Sequence, residues 1–182
     1  EKHLKIALKI GVWSEAGNYG SLGIAYQALG DYPKSIEYVS KHLKVAIEIA
    51  DRSEELKAYG TLGNSYQLLG EYSKAMEYHK KYLNIALEIG DPWEQRNAYG
   101  NLGISYQSLG DYRKSIEYLE KVLKIAIKIG DQSGEGNAYG NLAVAYQLLG
   151  DYRQSIEYLK KHLKIATEIG DRSAEEGAYG SL

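Results

Sequence analysis

Side-chain amides stand at regular intervals along this chain. Gln27, Gln67, Gln107 and Gln147 are 40 residues apart, and Asn97 with Asn137, then Asn101 with Asn141, keep the same step. An amide both donates and accepts, so a ladder of amides suits the main chain of an extended peptide. Other chemistry has less support. The four histidines, His3, His42, His79 and His162, are spaced by roughly a repeat or more, so a shared zinc site is not expected. Cysteine is absent, which excludes disulfides and thiolate metal ligands. Gly100-Asn101-Leu102-Gly103 looks like a phosphate loop but falls within a helical pattern and lacks the strand that must precede such a loop. No Ser-His-Asp ordering stands out, and most carboxylates fall at helix starts or beside lysines. The expectation is a non-enzyme with no cofactor and no metal.

The step of 40 organises everything else. Gly30, Gly70, Gly110 and Gly150 follow it, as do Tyr32, Tyr72, Tyr112 and Tyr152. Self-similarity at this period marks an array of supersecondary units that bury their apolar faces against one another. Within the unit 91–130, Asp91 is an N-cap with Pro92 at the first helical position and Glu94 three residues on. Tyr99, Leu102, Gly103 and Tyr106 share one face of the first helix. Gly110 ends that helix and Asp111 caps a second, whose stripe is Tyr112, Ile116, Leu119, Leu123, Ala126 and Ile129. Each unit is thus an antiparallel helix pair. Gly134 and Gly136 weaken the start of the fourth unit by about 1 kcal/mol each against alanine. Glu37–Lys41, Glu77–Lys81, Glu117–Lys121 and Glu157–Lys161 are spaced for ion pairs on a solvated face. The organisation is a single array over 1–182: a partial second helix at 1–11, full repeats at 12–50, 51–90, 91–130 and 131–170, and a partial first helix at 171–182.

Net charge is −2, with 44% apolar and 25% charged residues. This balance gives no basic stripe for nucleic acid. No apolar run reaches the ~18 residues of a membrane span. The expected location is cytoplasmic. The 18 tyrosines read as a product of copying, with no separate functional role.

Leu22-Gly23 with Tyr26, Leu62-Gly63 with Tyr66, Leu102-Gly103 with Tyr106 and Leu142-Ala143 with Tyr146, each followed by a Gly-Asp-Tyr or Gly-Glu-Tyr turn and a small residue (Ser35, Ala75, Ser115, Ser155), resemble the tetratricopeptide repeat. The resemblance covers essentially the whole chain. It implies an all-α, right-handed α-solenoid of antiparallel helix pairs whose concave wall is lined by first helices. The long period is similar to the spindle-orientation scaffolds Pins and LGN and to long invertebrate arrays. That group's inner arginine position holds Gly17, Lys57, Asn97, Asn137 and Gly177 here, which puts a preference for acidic peptides in doubt. The third and fourth copies agree at roughly two-thirds of positions, as recent tandem duplication or consensus design would produce.

On a helical wheel the face opposite the core carries Lys57, Gly60, Thr61, Asn64, Gln67 and Leu68 in the second unit. In the third it carries Asn97, Gly100, Asn101, Ile104, Gln107 and Ser108, and in the fourth Asn137, Gly140, Asn141, Val144, Gln147 and Leu148. This face is either a groove for a linear segment of a protein partner or a polar solvent face copied with the repeat. The glycines at 20, 60, 100, 140 and 180 sit in helix interiors and imply close approach, by a ligand or by neighbouring first helices. A structural alternative is a module that associates end to end through uncapped terminal helices.

Overall fold

The computed structural model describes residues 17–181, with side chains through 177. Residues 1–11, read as a partial second helix, and His3 lie outside the described residues. The described chain is helical, with no strand: α1 (17–28), α2 (Tyr32–Glu48), α3 (Arg52–Leu68), α4 (Tyr72–Ile89), α5 (Pro92–Ser108), α6 (Tyr112–Ile129), α7 (Gln132–Leu149), α8 (Tyr152–Ile169) and α9 (Arg172–Ser181). The described residues form two compact units, 17–89 and 90–181. In the first, α2 packs on α3 and α3 on α4; in the second, each helix from α5 to α9 packs on the next.

The turns follow from two residues. Gly30, Gly70, Gly110 and Gly150 adopt left-handed backbone, with φ of 78°, 82°, 80° and 89°. The following amide then bonds back across the turn, Asp31 N–H to Tyr26 O at 2.9 Å and Asp111 N–H to Tyr106 O at 2.9 Å, closing a Schellman motif. The same aspartates turn outward to cap the next helix: Asp31 accepts from Lys34 N, Asp111 from Lys114 N and Asp151 from Gln154 N. Asp51 and Asp91 cap α3 and α5 in the same way. Ala50 takes φ 55° where later repeats have glycine. A Cβ in that conformation costs ~1 kcal/mol.

The cores repeat with the sequence. Val39 packs with Ala58 and Leu62 in the first unit, and Ile116 and Leu119 with Leu142 and Ala145 in the second. Leu62, Leu102, Leu119 and Leu142 are fully buried, and each such side chain contributes ~1.5–3 kcal/mol. Around these cores the tyrosines form trios. Tyr38 stacks on Tyr26 at 5.3 Å and meets Tyr19 at 6.4 Å, and the other three hairpins copy this with Tyr78, Tyr118 and Tyr158 at the centre. Lys41, Lys81, Lys121 and Lys161 each stand over two of these rings. Glu37 and Glu77 also pair with Lys41 and Lys81, at 2.7 and 3.4 Å. Twelve of the 18 tyrosines thus share a packing role along the seams of the hairpins.

The nearest neighbours of the helix-interior glycines 20, 60, 100 and 140 are side chains of second helices. A Cβ at Gly20 would stand 3.0 Å from His42, and one at Gly100 3.8 Å from Val122. Their partner is the second helix of their own hairpin. At Gly23 and Gly63 a Cβ would collide with Val39 and His79 outright. Gly134 has a different reason. A side chain there would strike the Arg96 guanidinium where it pairs with Asp131, the cap of α7. The propensity lost at this position admits an ion pair between successive hairpins.

Candidate functional site

The first helices of each unit stand side by side, and internal bonds show it. Gln27 Nε2 on α1 donates to Ser65 Oγ on α3 at 2.8 Å, and Ser65 Oγ lies 2.9 Å from Ser35 Oγ. In the second unit Arg96 on α5 reaches the cap of α7. The face left over on these helices is the one the helical wheel marks.

In the first unit that face exposes Lys57, Asn64 and Leu68, with Gln67 half-buried. Ile24 is 58% exposed and Leu68 56%. Lys57 Nζ pairs with Glu54 at 2.7 Å, and the His42 ring N–H donates to the same carboxylate at 2.9 Å. Lys57 first, and His42 after it, hold the Glu54 carboxyl below its usual range. Ser21, Ile24, His42, Glu54, Lys57 and Thr61 line a cleft of about 270 Å³ here. Gly17, Gly20 and Val39 complete its lining.

In the second unit Asn97, Asn137, Asn141 and Gln147 are exposed, Asn101, Ile104 and Gln107 are half-buried, and Val144 is 42% exposed. Asn97 Oδ1 accepts from Arg96 at 2.9 Å, and the Asn101 carbonyl accepts from Ser105 Oγ at 2.8 Å. The amide ladder loses its first rung: Gln27 is spent on Ser65 and on the Thr61 carbonyl, at 2.8 and 3.4 Å. The exposed residues of this face in the second unit are Asn97, Asn137, Asn141 and Gln147 with the aliphatic Val144 and Leu148.

The described histidines, His42, His79 and His162, stay within the packing. His162 Nδ1–H donates to the Gly136 carbonyl at 2.7 Å. His79 is fully buried and neither ring nitrogen has a partner; burial lowers its pKa to about 4. Among the described residues no group of three or more His, Asp or Glu could hold a metal ion, and no helix is long and apolar enough to cross a membrane. The His42–Glu54 contact escaped the sequence reading because it joins α2 to α3. The only signal was an acid at the third position of a capping box.

The model of the tetratricopeptide repeat matches residues 14–88 and 94–168. The chain belongs to the tetratricopeptide repeat family. No curated protein matches it in sequence. Among solved structures it is similar to the tetratricopeptide repeat domain of Arabidopsis FLU, with 32% identity over 66% of this chain and 99% of that one and a TM-score of 0.61. BtubC from P. vanneervenii is 20% identical, covers 86% of this chain and 65% of its own, and gives a TM-score of 0.80. A Rap protein solved in complex with Competence and Sporulation Factor is 20% identical over 90% of this chain and 46% of its own, with a TM-score of 0.81. The chain thus spans less than two-thirds of the length of BtubC and less than half of the Rap protein.

Proposed function

We propose that this chain is a protein-interaction scaffold whose first-helix walls hold a linear segment of a partner. One observation carries the reading. Asn137, Asn141, Val144 and Leu148 on α7, and Asn64 and Leu68 on α3, are exposed on the face turned from the core. Amides there match the alternating donors and acceptors of an extended main chain, and the aliphatic residues between them offer shallow apolar contact. Lys57, Gln67, Asn97, Asn101, Ile104, Gln107 and Gln147 complete the two walls. Family membership supports the scaffold role, and a Rap protein of similar fold has been solved in complex with Competence and Sporulation Factor. Protein segments fit a near-neutral wall of this kind better than nucleic acid, whose phosphates need basic partners.

The test is selection of a phage-displayed linear peptide library on the whole chain, followed by fluorescence anisotropy of the selected peptide. Asn101→Ala and Asn141→Ala should each weaken binding about tenfold, the loss of one or two hydrogen bonds. Lys160→Ala, exposed on α8, should leave it unchanged. Equal affinity in all four proteins would refute the wall.

A further inference from the structure

Near-copies of one hairpin allow a comparison that a single domain does not. At the edge of the α3–α4 hairpin, Arg52 donates to Glu55 at 2.7 Å and also to Glu88 near the end of α4. The Glu55 side chain is only 8% exposed, and its burial is tolerable because a guanidinium supplies the counter-charge and the donors. The α7–α8 hairpin repeats both acids at the same register, as Glu135 and Glu168. There the position of Arg52 is Gln132, neutral and shorter. In α5–α6 the register reads Pro92, Gln95 and Lys128, with neither acid. Acid pair and guanidinium are present together in α3–α4 and both missing from α5–α6; α7–α8 alone of these three keeps the acids without the cation.

A cleft of about 250 Å³ opens at that place, lined by Gln132, Glu135, Tyr139, Lys164, Ile165 and Glu168, with Lys161 at its side. We propose that this cleft receives an arginine side chain from a protein partner. The guanidinium bridges Glu135 and Glu168 as Arg52 bridges Glu55 and Glu88, and its aliphatic stem lies along Tyr139 and Ile165. Two cations border the site. Lys161 is held over the Tyr139 and Tyr158 rings at 5.5 and 5.1 Å. Lys164 meets Glu168 only at 3.8 Å, between side chains 76% and 52% exposed, a contact weak enough for a bidentate fork to displace. A lysine ligand has no such fork. Glu135 and Tyr139 lie two residues either way from Asn137, about 200° around α7. The cleft is therefore on the far side of that helix from the proposed peptide wall and stands independently of it.

The experiment is an amide chemical-shift titration of the whole, isotope-labelled chain with N-acetyl-arginine amide, and in parallel with N-acetyl-lysine amide. The arginine probe should shift amides of 132–139 and 161–168 with a Kd on the order of 1–10 mM, and the lysine probe at least several-fold more weakly. Gln132→Arg, which supplies the guanidinium from within, and Glu168→Gln should each remove the response. Arg52→Gln should open a second responding set on α3 and α4. Equal response to both probes, an undiminished response in Gln132→Arg, or no localised shifts would overturn the assignment.

Discussion

Replacing His79 with leucine should stabilise the protein at neutral pH and remove much of its sensitivity to mild acid. His79 occupies the position held by Val39, Leu119 and Leu159 in the other hairpins. Its ring is fully buried against Gly63 and both nitrogens lack partners. Each unsatisfied buried polar group costs ~1–3 kcal/mol, and leucine removes that cost. Leucine also fits: Leu119 packs against Gly103 in the same arrangement. The acid response follows from linkage. The folded pKa is about 4 against an ordinary 6.5, so as pH falls below 6.5 the unfolded chain takes up a proton that the folded chain refuses. Stability then declines with falling pH until the folded pKa is reached. At pH 4.5 the loss at this residue is roughly 2–3 kcal/mol, and at pH 7.5 close to zero. Urea denaturation followed by circular dichroism at the two pH values, in wild type and His79→Leu, measures the difference. A variant whose stability falls between pH 7.5 and 4.5 as steeply as the wild type would refute the reasoning.

The glycines divide into two classes that alanine should separate by sign. Gly100→Ala meets only Val122 at 3.8 Å and should stabilise by ~1 kcal/mol through helix propensity. Gly23→Ala drives into Val39 and should destabilise by ~1–3 kcal/mol; thermal melts of both decide. Ser115 Oγ is buried without a partner, while its counterpart Ser35 has one in Ser65. Position 145, the equivalent of Ser65, is alanine, so Ala145→Ser should add ~1 kcal/mol, read as a higher urea midpoint.

Much of the fold was legible because its signals are local. Asp31, Asp111 and Asp151 cap, and Gly30, Gly110 and Gly150 terminate, through bonds spanning a few residues of chain. The buried Leu62, Leu102 and Leu142 follow from the spacing along one helix. A helical wheel tells which way a side chain points, but not which helix it meets. For that reason the wheel leaves open whether a ligand or a neighbouring first helix approaches Gly20 and Gly100, and their nearest neighbours are His42 and Val122 on second helices. It also explains Gln27, whose amide sits on the marked face at its very edge and reaches across to Ser65. Asn97 of α5 and Asn137 and Asn141 of α7 are exposed, whereas Asn101, on the same stripe of the wheel, is half-buried. The cost assigned to Gly134 was sound as propensity, but its purpose depends on Arg96, 38 residues away in sequence. Contacts at that separation leave no periodic trace.

Copies so alike could trade places, each hairpin settling on the wrong sibling. The joints guard against this because they are not alike. Between the first two hairpins, Gln27, Ser35 and Ser65 close a small polar knot that needs a hydroxyl on each side. Between α5–α6 and α7, an arginine enters a notch that exists only where residue 134 has no side chain. Within each unit, then, the joint carries a key of its own, a polar knot in one and a part-buried ion pair in the other, beside the oily surfaces that every copy shares.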